Sequence, residues 1–343
     1  MLADWCTWDD DYNLDIVQNI RARLVALATK DTDRYTCVLM QGSGTYSIEA
    51  GIICSVPKTG KLLILTNGLY GDRMAAIAGY AGLNHAVLEF EQTEVPSVPA
   101  VDRFLQDNPD ITHVAVVHCE TTSGILNPLS ELCAVVKKYG KTLIVDAMSS
   151  FGGIPFDTGE LDIDFMVSSA NKCIEGVPGF GLIIAKRDQM ERCKGISPSL
   201  SLDIYDQWQT MENQRGKWRY TSPTHVVRAF KQALDELDAE GGIDARNKRY
   251  HANQQILSDG MKALGYTSLV SEDLQSPIIT SFEYPSEKFS FKDFYERLKK
   301  AGFVIYPGKI SHRETFRFGT IGQVYPDDIR RLVEAISAYH IEK

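Results

Sequence analysis

Thr142-Leu-Ile-Val-Asp146 and Phe165-Met-Val-Ser-Ser-Ala-Asn-Lys172 decide the fold class of this 343-residue chain. Each segment contains an apolar run typical of a buried strand, and each ends in a charged side chain, Asp146 or Lys172. The carboxyl ends of neighbouring parallel strands meet at one edge of an open α/β sheet, where such folds bind their ligands. We therefore expect Asp146 and Lys172 to lie together at that edge.

A carboxylate and an amine in this position have the chemistry that pyridoxal 5'-phosphate (PLP) requires. The PLP aldehyde forms a Schiff base with a lysine, and its pyridine nitrogen stays protonated beside an acid so that the ring accepts electrons. The spacing favours this cofactor without deciding it. A phosphate-binding loop, a ring-stacking side chain and a substrate anion clamp have to come from the rest of the chain.

Strand-like and helix-like segments alternate from about residue 12 to residue 200. The predicted strands are residues 35–40, 61–66, 86–90, 113–118, 142–146, 164–169 and 181–185, with helices at 45–56, 69–81 and 130–139. This βαβ alternation predicts an α/β fold with a mainly parallel sheet covered on both faces.

The C-terminal part of the chain has a different pattern. It predicts helices at residues 226–240, 245–264, 291–301 and 327–339, with short strands at 278–282, 303–306 and 315–318. We interpret this part as an α+β module. The predicted domains are therefore a large domain over residues 1–240 and a small C-terminal domain over residues 241–343.

Composition and charge exclude several classes of function. The net charge of −9 argues against a broad surface for nucleic acid or an anionic membrane, and no run approaches the roughly 20 apolar residues of a membrane span. Seven scattered cysteines without a CxxC pair predict free thiols and a cytoplasmic location. His113 and His118 would face opposite sides of a strand, so we expect no metal site.

Two strand-to-helix turns are candidates for cofactor binding. Gln41-Gly-Ser-Gly-Thr-Tyr46 would cradle a phosphate with backbone amides at a helix N-terminus, or it is simply a tight turn with an N-cap. It lacks the third glycine of a dinucleotide fingerprint, which counts against an oxidoreductase. In the second turn, Tyr70 would stack on a planar ring or pack into the core.

Two further segments would serve a bound cofactor or substrate. His118-Cys-Glu-Thr-Thr-Ser-Gly124 places several hydroxyls at the end of a predicted strand, where they could bond a cofactor or substrate oxygen. Arg317 has apolar neighbours and would clamp a carboxylate with its planar guanidinium, or form a structural ion pair.

Taken together, the motifs occur in the order found in class V aminotransferases of fold type I, which the chain resembles over essentially its whole length. They are Gly-Ser-Gly, Asn-Gly-x-Tyr-Gly-x-Arg, Glu-Thr-Thr-Ser-Gly, Val-Asp-Ala-Met-Ser-Ser and Ser-Ala-Asn-Lys. Residues 6–13, 168–180, 216–225 and 302–309 are similar to the members that transfer the amino group of 2-aminoethylphosphonate to pyruvate. The resemblance implies that reaction, which gives phosphonoacetaldehyde and L-alanine.

The resemblance also implies a role for each matching residue. Lys172 would bind PLP covalently and Asp146 would pair with its pyridine nitrogen. Arg317 would clamp the substrate carboxylate, and the phosphonate in the other half-reaction. Tyr70 would stack on the ring, and Thr121 or Thr122 would bond the cofactor ring oxygen. The phosphate would be bound by Ser43, Gly44 and Thr45, together with Thr221 from the partner subunit of a homodimer.

Three alternatives remain open at this point. A serine– or alanine–glyoxylate aminotransferase shares nearly every cofactor motif, while a cysteine desulfurase would need a mobile catalytic-cysteine loop that we do not find. Members of the family also carry an upstream Thr-Pro-Gly-Pro segment that reaches the active site, and Met1 aligns inside those proteins. Either the true start lies upstream of this Met, or the chain is a shortened form. In the second case, we expect weaker substrate binding and dimer stability without a change of fold. An impaired protein that only binds PLP is the corresponding alternative.

Overall fold

The computed structural model describes residues 4–308, 310 and 312–341, so Lys309 of the last motif lies outside the described residues. The strands are β1 Tyr35–Gln41, β2 Leu62–Thr66, β3 His85–Glu89, β4 His113–Val117, β5 Cys119–Glu120, β6 Ile125–Leu126, β7 Thr142–Asp146, β8 Phe165–Ser169, β9 Phe180–Lys186, β10 Ile279–Glu283, β11 Tyr306–Pro307 and β12 Thr315–Gly319. The helices are α1 Asp10–Tyr12, α2 Asn19–Ala28, α3 Gly44–Ser55, α4 Leu69–Tyr80, α5 Val98–Asp107, α6 Leu129–Lys138, α7 Arg187–Arg192, α8 Ile204–Asn213, α9 Thr224–Glu240, α10 Gly242–Ala263, α11 Phe291–Lys300 and α12 Pro326–Ile341, with a π-helical segment at Asn13–Gln18.

A seven-stranded sheet in the order β1-β9-β8-β7-β4-β2-β3 forms the centre of the molecule. Strands β8, β7, β4, β2 and β3 run parallel, whereas β9 pairs antiparallel with both β8 and β1. The prediction of a mainly parallel sheet is therefore confirmed. The reversed direction of β9 was not predicted, because a strand buried on both faces reads as the same apolar run in either direction.

Helices cover both faces of this sheet and explain its apolar strands. Helix α3 packs against β8 and β9, while α2 and α8 pack against β1. Every residue of β2, β4, β8 and β9 is consequently buried. Because the sheet interior is filled by these aliphatic side chains, polar side chains collect where the strands end, and this places the candidate site.

The C-terminal part of the chain has a small antiparallel sheet in the order β10-β12-β11 and a largely aromatic core. The strand predicted at residues 303–306 is wrong for residues 303–305, since β11 contains only Tyr306 and Pro307. Residues 303–305 follow the turn at Gly302 that ends α11, and Pro307 has no N–H group to extend an edge pairing.

Buried side chains form one large cluster from Tyr12 to Leu237 and a second from Leu257 to Tyr339. The division into domains at residues 240 and 241 stays a prediction, although the second cluster is built entirely from residues of the predicted small domain. Among the described helices, none combines the length and the apolar character needed to cross a membrane.

Candidate active site

The carboxyl ends of β7 and β8 bring Asp146 and Lys172 to the same cavity, as the opening segments predicted. The cavity has a volume of about 180 Å³. Six of the predicted site residues line it: Ser43, Gly44, Thr45, Tyr70, Asp146 and Lys172. The sequence motifs from four separate parts of the chain therefore converge on one small volume.

One wall of the cavity is the loop between β1 and α3. Gly42 has a φ of +114°, which residues other than glycine rarely adopt, and Ser43 is the N-cap residue of α3. A Cβ atom on Gly44 would collide with the side chain of Met148 on the opposite wall. The first amide groups of an α-helix have no partner inside the helix and carry a partial positive charge, so this wall is suited to an anion such as a phosphate.

Asp146 is the last residue of β7 and is almost completely buried. Its Oδ1 atom accepts a hydrogen bond of 2.9 Å from the Met148 N–H, and Oδ2 has no hydrogen bond among the described residues. Burial raises the pKa of Asp146 to about 6, against the lowering effect of the Met148 bond. A buried carboxylate with one unused oxygen is suited to a cationic partner in the cavity.

The cavity contains a second polar group in need of a partner. The hydroxyl of Ser169, the last residue of β8, is buried and has no hydrogen bond among the described residues. Buried hydroxyls are rarely left unpaired. The cavity therefore fits PLP: Asp146 suits its pyridine nitrogen, Lys172 its aldehyde and the α3 N-terminus its phosphate. The Ser169 hydroxyl offers one further hydrogen bond to a bound group.

Lys172 lies in a turn that is fixed at several points. Its carbonyl accepts a 2.8 Å hydrogen bond from the Glu175 N–H. The next carbonyl, that of Cys173, accepts a 2.8 Å bond from Arg246 Nη1, and the Cys173 thiol donates to the Ser149 carbonyl. The backbone that carries the candidate Schiff-base lysine is therefore held from both sides.

Tyr70 is in the first turn of α4 and is half-buried at the cavity wall. The guanidinium of Arg73 lies 4.9 Å from the centre of the Tyr70 ring and donates to Thr45 Oγ1 over 3.2 Å. Arg73 therefore connects the ring wall to the phosphate wall. Arg73 is part of the Tyr70 motif but was not predicted as a site residue. The signal for it in the sequence was its spacing of three residues from Tyr70 on one helix.

The two candidate threonines differ in their hydrogen bonding. The Thr122 hydroxyl donates to the buried Glu120 carboxylate and accepts a 3.1 Å bond from the Leu69 N–H. The Thr121 hydroxyl has no hydrogen bond in the described part of the chain. Thr121 is therefore the residue of the two that has a hydroxyl available for a cofactor oxygen.

Glu120 is a further buried group that sequence analysis did not single out. Its Oε2 atom accepts a 3.2 Å bond from the Tyr70 N–H, so it orients the start of α4. Burial raises the pKa of Glu120, with its hydrogen bonds from Thr122 acting in the opposite direction.

Arg317 lies on β12 with only 4% of its surface exposed. Its Nη1 atom donates to the Thr121 carbonyl over 2.6 Å and its Nε atom donates to the Pro307 carbonyl over 3.1 Å. Burial lowers the pKa of Arg317. No described carboxylate forms an ion pair with it, so the alternative of a structural ion pair has no support in the described structure.

Thr221 does not line the Lys172 cavity of its own chain. It is exposed and lies in a separate groove together with Gln41, Trp218 and Tyr220. Residues 4–308, 310 and 312–341 also contain no group of three or more His, Cys, Asp or Glu side chains that could hold a metal ion.

Comparisons with known proteins identify the family. The family model described as Aminotransferase class-V matches residues 13–319. This chain belongs to the class-V aminotransferases. The predicted family and fold class are thereby confirmed, the chain is an aminotransferase, and PLP is its cofactor.

Individual relatives are similar to this chain over nearly their whole length. A 2-aminoethylphosphonate–pyruvate transaminase of Phocaeicola vulgatus is 62% identical over 336 residues, which are 98% of this chain and 93% of that protein. One from Bacillus cereus is 58% identical over 337 residues, or 98% and 92% of the two chains. The solved structure of an alanine–glyoxylate aminotransferase from Nostoc sp. has a TM-score of 0.89 at 20% identity, covering 98% of this chain and 89% of that chain, and so shares the fold.

Proposed function

We propose that this chain transfers the amino group of 2-aminoethylphosphonate to pyruvate, producing phosphonoacetaldehyde and L-alanine. The observation that carries the proposal is the convergence of Lys172, Asp146 and the α3 N-terminus on one cavity. The 58–62% identity to transaminases named for this reaction supports the choice of substrates. The alanine–glyoxylate enzyme shares only the fold at 20% identity and gives no comparable support.

Two side chains of this chain would perform the proton chemistry, and a third would hold the cofactor ring. When bound, PLP supplies an electron sink for the charge that develops at the substrate carbon next to nitrogen. Lys172 Nζ would hold the cofactor aldehyde until the substrate amine replaces it, and would then carry the proton from that carbon to the former aldehyde carbon of the cofactor, a 1,3 shift across the nitrogen. Asp146 would keep a proton on the pyridine nitrogen, and the Tyr70 ring would stack on the pyridine ring.

The cofactor phosphate would lie against the N-terminus of α3. Ser43, Gly44 and Thr45 offer backbone amides and two hydroxyls there, and glycine at position 44 lets the side chain of Met148 pack directly against this turn. The Thr121 hydroxyl would bond the ring oxygen.

Arg317 would bind the carboxylate of pyruvate or alanine, and the phosphonate during the other half-reaction. Its guanidinium is buried without a described carboxylate partner, so its remaining donors are available to a substrate anion. Arginine presents a planar pair of donors that matches a carboxylate or a phosphonate. One cation can therefore serve two substrates that bind in alternation.

We infer that the active enzyme is a homodimer in which Thr221 of one subunit reaches the phosphate site of the other. Support comes from the exposure of Thr221 and from its position outside the Lys172 cavity of its own chain. A cytoplasmic location stays a prediction as well, supported by six buried free thiols.

The test is a visible absorption spectrum of protein reconstituted with PLP, recorded with 2-aminoethylphosphonate and without pyruvate. We expect the yellow absorbance to disappear and to return when pyruvate is added. Bleaching by alanine or serine with recovery by glyoxylate, but no response to 2-aminoethylphosphonate, would assign the chain to the glyoxylate-type enzymes. Bleaching by none of these amines would contradict the proposed function.

A further inference from the structure

The turn after Lys172 contains a residue in an unusual conformation. Glu175 has a φ of +64°, in the left-handed region that favours glycine. Such a conformation persists in a non-glycine residue only when the surrounding contacts hold it in place. The contacts of the Glu175 carboxylate are therefore candidates for what holds this conformation.

The Glu175 carboxylate is buried and accepts hydrogen bonds on both oxygens. Oε1 accepts from the Tyr250 hydroxyl over 2.6 Å and from Arg249 Nη2 over 3.0 Å. Oε2 accepts from Gln323 Nε2 over 2.6 Å. Only 6% of the side-chain surface is exposed, so these partners take the place of water.

Two arginines and a second glutamate complete the arrangement. Glu240 accepts from Arg249 Nε over 2.6 Å and pairs with Arg246 Nη2 at 2.8 Å. The Arg246 and Arg249 side chains are 1% and 8% exposed. We call Glu175, Glu240, Arg246 and Arg249 the buried charge cluster. Its two positive and two negative charges balance, which makes the burial of Glu175, Arg246 and Arg249 tolerable, while Glu240 is 21% exposed.

The buried charge cluster contacts the backbone next to Lys172 and the backbone that follows the strand of Arg317. On one side, Arg246 holds the Cys173 carbonyl, next to Lys172. On the other side, Arg249 Nη1 donates to the Gly322 carbonyl over 2.6 Å. That carbonyl belongs to the segment that directly follows β12, the strand that carries Arg317. The cluster therefore connects the backbone of the lysine to the backbone beyond the arginine.

We propose that the buried charge cluster positions Lys172 relative to Arg317, with Glu175 as the positioning residue at its centre. The inference rests on the proposed function, which gives the cofactor to Lys172 and the substrate anion to Arg317. A substrate that is bonded to the cofactor and also bound by Arg317 depends on the positions of both Lys172 and Arg317. PLP alone depends on the Lys172 side, so loss of the cluster affects substrate affinity more than cofactor affinity.

The experiment compares wild type with Glu175→Gln in the full-length, PLP-loaded protein. Glutamine keeps the shape of the side chain but removes the charge that pairs with Arg249. We expect the KM for pyruvate to rise about tenfold, which corresponds to about 1.4 kcal/mol. We expect the Kd for PLP to change by less than about twofold. PLP also remains attached to Lys172, as detected by borohydride reduction and peptide mass spectrometry.

Glu212→Gln is the matched control, because it breaks the partly buried ion pair with Arg21, which lies outside the Lys172 cavity. Both variants are expected to lower the melting temperature, but only Glu175→Gln is expected to change the pyruvate KM. A pyruvate KM that stays at the wild-type value in Glu175→Gln would show a purely structural role. Parallel losses of PLP and pyruvate affinity would also overturn the proposal.

Glu175→Gly provides a second variant, since it relieves the left-handed backbone while removing the carboxylate. The same rise in KM is expected, and a wild-type KM in this variant would show that the carboxylate does not position the site. Wild-type protein that turns over neither substrate would refute the proposed function. Wild-type turnover with unchanged kinetics in both variants refutes the positioning role alone.

Discussion

Replacing Asp146 with asparagine should stabilise the cofactor-free protein at neutral pH. Asparagine has nearly the same shape and keeps an acceptor for the Met148 N–H. It removes a carboxylate whose pKa is raised by burial from 3.8 to about 6. Because the folded-state pKa lies above the unfolded one, ionisation of Asp146 opposes folding, and this opposition is complete only above pH 6.

The size of the effect follows from the two pKa values. The difference between 3.8 and about 6 corresponds to about 3 kcal/mol of unfolding free energy above both values. Asp146→Asn should gain up to that amount at pH 8 and nothing below about pH 4, where the acid is protonated in both states. Within that window the advantage should grow as the pH rises.

With PLP bound, wild type should be more stable than Asp146→Asn, because the protonated pyridine nitrogen supplies the cation that the buried carboxylate lacks. Urea unfolding of cofactor-free protein at pH 4, 6 and 8, repeated with saturating PLP, measures both effects. We expect PLP to stabilise wild type much more than Asp146→Asn. A variant that is less stable than wild type at pH 8 without PLP, or a difference that does not depend on pH, would refute the reasoning.

Three further predictions concern the lysine, the clamp and the packing of α4. Lys172→Ala should still bind PLP but lose about a thousandfold or more in kcat, and single-turnover spectra that show retained turnover without added amines would contradict this. Arg317→Lys keeps the charge but loses the paired donors, so steady-state kinetics should show a pyruvate KM about 10–100-fold higher; an unchanged KM would rule out the clamp. Gly71→Ala should destabilise the protein by about 1–3 kcal/mol, because its Cβ would lie 2.8 Å from the Cα of Thr66. The matched control on the same helix is Gly79→Ala, whose Cβ would have only a 3.9 Å contact, so it should be neutral or stabilising by up to about 1 kcal/mol. Equal melting temperatures for the two variants would contradict the packing argument.

Much of the candidate site could be predicted because it follows from local rules. Parallel strands end at one edge of the sheet, so Asp146 and Lys172 could be placed together without knowing any contact. The Gly-Ser-Gly turn could be placed at a helix N-terminus because it lies between a predicted strand and a predicted helix. These features depend on the order of elements and on the residue type at each strand end.

The remaining features depend on contacts between distant parts of the chain. Glu175 and Arg249 are 74 residues apart, and neither residue's neighbours in sequence indicate their pairing. The preference for Thr121 over Thr122 likewise follows from the Leu69 N–H, 53 residues away from Thr122. The direction of β9 was not predictable because both of its faces are buried.

The antiparallel strand β9 also bears on how the protein is made. The loop at Gly42 is synthesised well before β9, yet among the described strands of the large sheet β1 pairs only with β9, and the Gly42 N–H donates to the Gly179 carbonyl. The phosphate wall therefore cannot be completed until residues 180–186 have left the ribosome. Contacts of such long sequence separation form late and slowly, so β1 lacks its partner strand until then and is exposed to aggregation during that time.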